Sequence, residues 1–186
     1  MGGSMLLWLL LGVGVFWSVG AYNRLVRLRS AALQAFTALD ALMVMQGELL
    51  RKVLPSADAL WAASRPAELF DSVPTRWAGL GGAAAQFNAS LVAARTRPLD
   101  PDKAAALTAA TKVLVMAWQR VRDEGHDLAG APIPENLQTQ WDQLSLQCAA
   151  ARERFNEAVS AYNRAIAQFP AAMLAWLFGL QPARPL

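Results

Sequence analysis

A chain of 186 residues is long enough for one domain with a real core, and its Ala- and Leu-rich make-up, poor in β-branched residues, favours helix over sheet. Seventeen Lys and Arg stand against fourteen Asp and Glu, a formal charge of +3 that Arg24, Arg27 and Arg29 supply by themselves; the near-neutral remainder speaks against a nucleic-acid partner. The single cysteine, Cys148, excludes an intrachain disulfide framework.

The first charged side chain is Arg24, and Met5 to Tyr22 reads MLLWLLLGVGVFWSVGAY. At about 1.5 Å per residue such a helix reaches roughly 27 Å, close to the ~30 Å hydrocarbon core of a bilayer. Trp8 and Trp17 lie toward its two ends and Tyr22 at its exit, where amphipathic rings favour the headgroup level. Residues 1–23 therefore read as a transmembrane anchor. A cleaved signal peptide is the competing reading: Ser18 and Gly20 resemble small residues before a cleavage site, but Met1 to Ser4 lacks the positive n-region. Three Arg within six residues follow the apolar run and none precedes it, so the positive-inside rule predicts a short outside amino terminus and a cytoplasmic body.

No proline occurs before Pro55, and a stripe in steps of three and four continues through Leu25, Leu28, Ala32, Ala35, Leu39, Leu42, Gln46, Leu49 and Val53. The anchor is thus predicted to run on as one helix to about Leu54. Asp40, off this stripe, reads as a surface residue or as a partner for an arginine in the bundle. The second helical region is predicted to start at Ser56, break at Pro66 and Pro74, and resume from about Thr75 to Arg95. Asp100 is a good N-cap for a third helix, about Pro101 to Asp123, whose apolar stripe is Leu107, Thr111, Leu114, Trp118 and Val121. A fourth begins near Pro134 and carries Trp141, Leu144, Cys148, Ala151, Phe155, Ala158, Tyr162, Ala165 and Phe169, ending at Pro170.

These elements predict an all-α protein in which the transmembrane helix continues into an antiparallel four-helix bundle over residues 24–170. In that topology the Arg95–Arg97 loop and the end of the fourth helix, with Arg164, return to the membrane-near side. Residues 171–186 form an apolar tail containing Trp176, which either lies in the interface or folds back to cap the core. Trp8, Trp17, Tyr22, Arg24, Arg27, Arg29, Arg95, Arg97, Arg164 and Trp176 are the expected membrane-interface residues. Tyr22-Asn23-Arg24 and Tyr162-Asn163-Arg164 are a repeated triplet at that level.

Catalytic, cofactor-binding and metal-ligating sets are absent from the pattern. His126, among Asp123, Glu124 and Asp127, is the only histidine and reads as part of an exposed loop; HExxH, GxSxG and P-loop patterns are missing. Cys148 on the core stripe reads as a buried small side chain.

Two stretches carry a resemblance. AYNRLVRLRSAALQAFTALDALM, with Tyr22, Asn23, Leu25, Val26, Leu28 and Arg29, is similar to the YN-x-LV-x-LR opening of the LemA family of bacterial membrane proteins. ARERFNEAVSAYNRAIAQFP resembles that family's closing run through Asn156, Ala158, Val159, Tyr162, Asn163, Phe169 and Pro170, and Phe178-Gly179 its Phe-Gly-Phe tail. The middle departs from the pattern, Phe155 replaces a frequent Tyr, and Leu180 a frequent Phe. The resemblance implies a membrane-anchored helical bundle without cofactor. The expected function is a non-enzymatic scaffold or adaptor at the bacterial inner membrane, bound to lipid through its first helix and to partner proteins through its bundle. A lipid-contacting, membrane-shaping or envelope-stress-related role and an exported sensory bundle are the alternatives. Oligomeric state is not legible.

Overall fold

The computed structural model describes residues 2–54, 72–124 and 133–186, and all regular structure among them is helical. The elements are α1 (Gly2–Val53), α2 (Ser72–Thr96), α3 (Pro101–Glu124), α4 (Glu135–Ile166) and α5 (Ala171–Leu177). The 52 residues of α1 span about 78 Å, so the predicted anchor segment and the first bundle helix are one rod. The predicted start at Ser56, the break at Pro66 and the His126 loop lie outside the described residues.

Contact order along the rods fixes the topology. Trp17 meets Phe169, Phe36 meets Phe155 and Gln46 meets Cys148, so α4 descends as α1 ascends. Asp40 reaches Arg95, Gly47 faces Asn88 and Leu54 faces Gly81, so α2 also runs antiparallel to α1. A short turn joins α2 to α3. There Asp100 accepts hydrogen bonds from the amides of Asp102 and Lys103 at 3.0 and 3.3 Å, the expected N-cap, and Pro101 occupies the first helical position. The result is the predicted all-α antiparallel bundle, built as two closely packed pairs, α1 with α4 and α2 with α3.

One apolar core joins the pairs. Phe36 packs edge-on against Phe155 with centroids 5.8 Å apart, and Trp118 stacks on Trp141 at 4.5 Å. α1 faces α4 and α2 at once, so its buried stripe is wider than the sequence indicated. Phe36, Met43 and Leu50 are buried beside Leu39, Gln46 and Leu49. Gln46 is a buried polar residue of this core; its amide donates to Ser145 Oγ at 3.3 Å and its oxygen accepts from Cys148 Sγ at 3.8 Å.

Three expectations need correction. α2 starts at Ser72, three residues before the expected Thr75, and runs through the glycines at 79, 81 and 82: Pro74 falls in its first turn, where amides lack intrahelical partners and a missing N–H costs nothing. α4 ends at Ile166, three residues early, and Phe169 is 72% exposed instead of closing the core stripe. Val159, fully buried, takes the inward position beside the half-buried Ala158.

Candidate membrane-proximal site

Along α1 the environment changes at one level. Trp8, Val13, Phe16, Trp17 and Val19 are more than half exposed, with Phe16 at 83%; from Leu25 onward one face is buried by α4 and later α2. Arg24, Arg27 and Arg29 lie exposed at the changeover. By length and composition α1 is the one helix among the described residues that can cross a membrane.

α5 sits beside this level. After α4 the chain turns at Phe169-Pro170 and folds α5 back against α1. Ala171 and Ala175 are buried, Ala171 against Leu25 and Ala165. Trp17 meets Phe169 at 5.7 Å between centroids and Tyr22 meets Phe178 at 5.0 Å. The fully buried side chains of α5 are its small ones, and Leu174 is half-buried. Met173, Trp176, Leu177 and Phe178 are exposed, Trp176 at 83%.

The helix ends in a Schellman motif. Gly179 adopts φ +63°, its amide donates to the Trp176 carbonyl at 3.4 Å, and the Leu180 amide donates to the Ala175 carbonyl at 2.8 Å. Positive φ is what makes glycine fit here. The reversal sends residues 181–186 back along α4. Asn163 accepts from the Ala183 amide at 2.9 Å and donates to its carbonyl at 2.7 Å; Asn156 does the same to Leu186 at 2.8 and 3.0 Å. Ala183 is buried and Leu186 packs on the main core. The tail thus divides into an apolar helix beside the upper part of α1 and a strap that folds back on the bundle, and Leu186 of that strap packs on the core.

The residues expected at the interface are placed as follows. Trp17, Tyr22 and Arg24 flank α5. Arg29 and Arg97 share the wall of a cavity of about 520 Å³ with Tyr162, Asp100 and Gly179, so the α2–α3 turn and the α5 end do meet the arginine level. Tyr162 is buried there; burial pushes its phenol up, and the Arg29 charge pulls the other way. Arg164 and Trp176 are exposed. Trp8 stands nine residues, about 13 Å, further along α1 from Trp17. Arg95 turns away from this group: its Nε donates to Asp40 at 2.7 Å, the arginine partnership open to Asp40 from the sequence.

Sequence reasoning missed the roles of Asn156, Asn163 and Gly179. The signals were present: two asparagines one heptad apart, a glycine just past an apolar helix, and Pro182 and Pro185, which favour an extended strap. Chemically the site offers apolar surface beside cations. No group of three or more His, Cys, Asp or Glu able to hold a metal occurs among the described residues searched. Burial pushes the Cys148 thiol up, against the pull of Arg152, which makes it a poor nucleophile.

Comparison with curated proteins and with solved structures yields no match. A family model described as the LemA family matches residues 84–186, a span that contains α3, α4, both clamping asparagines and the Phe178-Gly179 turn, while the YNRLVRLR opening lies before it. With more than half of its length matched, including the elements that build the tail clamp, the chain belongs to the LemA family.

Proposed function

We propose that this protein is a non-enzymatic, membrane-anchored scaffold of the bacterial inner membrane. The upper part of α1 crosses the bilayer with a short amino terminus outside, and the bundle stands in the cytoplasm and binds partner proteins. The observation that carries this reading is the change along α1, from a surface apolar all round to a helix buried on one side, with three arginines between. Tethering raises the effective concentration of the bundle near other membrane proteins.

Partner binding is tested by photo-crosslinking at exposed apolar positions of the bundle, Met116 on α3 and Leu146 on α4, in membranes of intact cells. Discrete protein adducts at these positions support the scaffold. Lipid adducts alone, at both, contradict it.

A lipid-contacting role is a second reading with its own observation. α5 buries only its small side chains and exposes Met173, Trp176 and Leu177 beside the anchor, an arrangement suited to the interface. Flotation of residues 24–186 against the same segment carrying Trp176→Ser and Leu177→Ser, on anionic vesicles, checks it. Equal flotation would count against the role.

A further inference from the structure

The seam between α1 and α5 is flanked by two cavities that share Trp17, Phe169 and Pro170 as a common wall. On one side, a cavity of about 330 Å³ runs from Phe16 past Gly20 to Arg24 and Gln168. On the other, a cavity of about 680 Å³ is bounded by Val15, Val19, Tyr22, Met173 and Phe178. Both volumes fall within the range of about 300–1,000 Å³ typical of small-molecule sites. The larger presents almost only carbon. Its Ser18 hydroxyl is turned into its own helix, donating to the Gly14 carbonyl at 2.8 Å.

Arg24 is what selects an occupant. It lines the smaller cavity together with Gln168, Phe16 and Trp17, and a cation and an amide beside aromatic rings fit a molecule with an anionic head and an apolar body. Arg29 lines the separate cavity toward the α2–α3 turn, and Arg27 lines none of the three. The three arginines therefore differ: one is aimed along the seam, one faces the turn, and one lies outside both.

We infer that the α1–α5 seam is a binding site for one acidic phospholipid, with the phosphate on Arg24 and Gln168 and an acyl chain along the Phe16–Trp17 wall. This site rests on the membrane-anchored reading above. It goes beyond a diffuse attraction of basic residues to an anionic surface, because it assigns the headgroup to one arginine and the chain to one groove. It also accounts for the turn after α4, because Gln168 to Ala171 close the second wall of the groove.

The test uses the full chain in nanodiscs of equal phosphatidylglycerol and phosphatidylcholine, transferred to mild detergent, with retained lipid counted by native mass spectrometry. The wild type is expected to keep phosphatidylglycerol in preference to phosphatidylcholine. Arg24→Gln should lower that retention about fivefold, the scale of one basic contact at such a surface, while Arg27→Gln leaves it unchanged. Gly20→Leu projects a side chain into the smaller cavity from a position where an added Cβ has no atom within 4 Å, and should lower retention of both lipids. Equal retention of the two lipids by the wild type overturns the site, as does an equal loss in Arg24→Gln and Arg27→Gln. In either case a protein that still inserts leaves the anchored reading standing. Failure of the wild type to enter nanodiscs at all overturns both.

Discussion

Asn156 and Asn163 are seven residues apart on α4, a rise of about 10 Å. Ala183 and Leu186 are three residues apart, about 9 Å in the extended conformation that Pro182 and Pro185 favour. The two spacings match, so each side-chain amide meets one residue of the strap with a donor and an acceptor. Asn163→Ala removes two such bonds and leaves the Ala183 amide and carbonyl in a buried setting without them. The expected cost is about 1–3 kcal/mol, with faster hydrogen exchange at Ala183 than at the α4 core. Unchanged protection at Ala183 would show that the clamp does not hold the strap. A second residue-scale effect is pH dependence. Cys148 and Tyr162 both hold their protons more tightly folded than unfolded, because burial disfavours the charged forms. Their contribution is therefore complete below the ordinary thiol and phenol values of about 8.5 and 10, and is lost as pH rises through the raised folded values. Urea midpoints of the full chain in micelles should be level from pH 7 to 8 and fall above that. The fall should begin later in Cys148→Ala.

At the scale of elements, the helices were legible because their burial follows period and their ends follow proline. α3 and its Asp100 cap appear as the sequence indicates, and α4 carries its predicted stripe from Trp141 to Ala165. What the period could not reveal is what happens where it stops. Phe169 fits the spacing but lies past the end of α4, and its ring goes to Trp17 across the turn. Phe36, Met43 and Leu50 were missed because a helix with two neighbours buries more than one stripe. α5 is visible in the sequence only as an apolar run, while the reversal that follows it depends on one positive-φ glycine and on hydrogen bonds to residues twenty and thirty positions away. Gly179→Ala should cost about 1 kcal/mol and loosen α5 from α1, read as reduced quenching between Tyr22 and its surroundings or as earlier proteolysis after Phe178. Phe155→Ala, at the fully buried centre of the α1–α4 contact, should cost about 3–5 kcal/mol. Asp40→Asn breaks a partly exposed pair with Arg95, and a loss below about 1 kcal/mol in the urea midpoint is expected.

The whole molecule is organised by the rod of α1. Its upper part is apolar on all described sides, its lower part is one wall of the bundle, and the arginine level between them is also where the α2–α3 turn and α5 arrive. The strap ties that level to the bundle, so α5 is held beside the upper part of α1 from both of its ends. Family membership agrees with this plan without adding a reaction, and the proposed scaffold role rests on the proposed placement. Labelling from each side of the membrane tests that placement most directly. In a Cys148→Ala background, Arg184→Cys puts the only thiol on the exposed side of the strap. Labelling by a membrane-impermeant maleimide in inverted inner-membrane vesicles, and none in intact spheroplasts, is the result predicted here. Labelling in spheroplasts, or release of the labelled protein by alkaline carbonate, would contradict it.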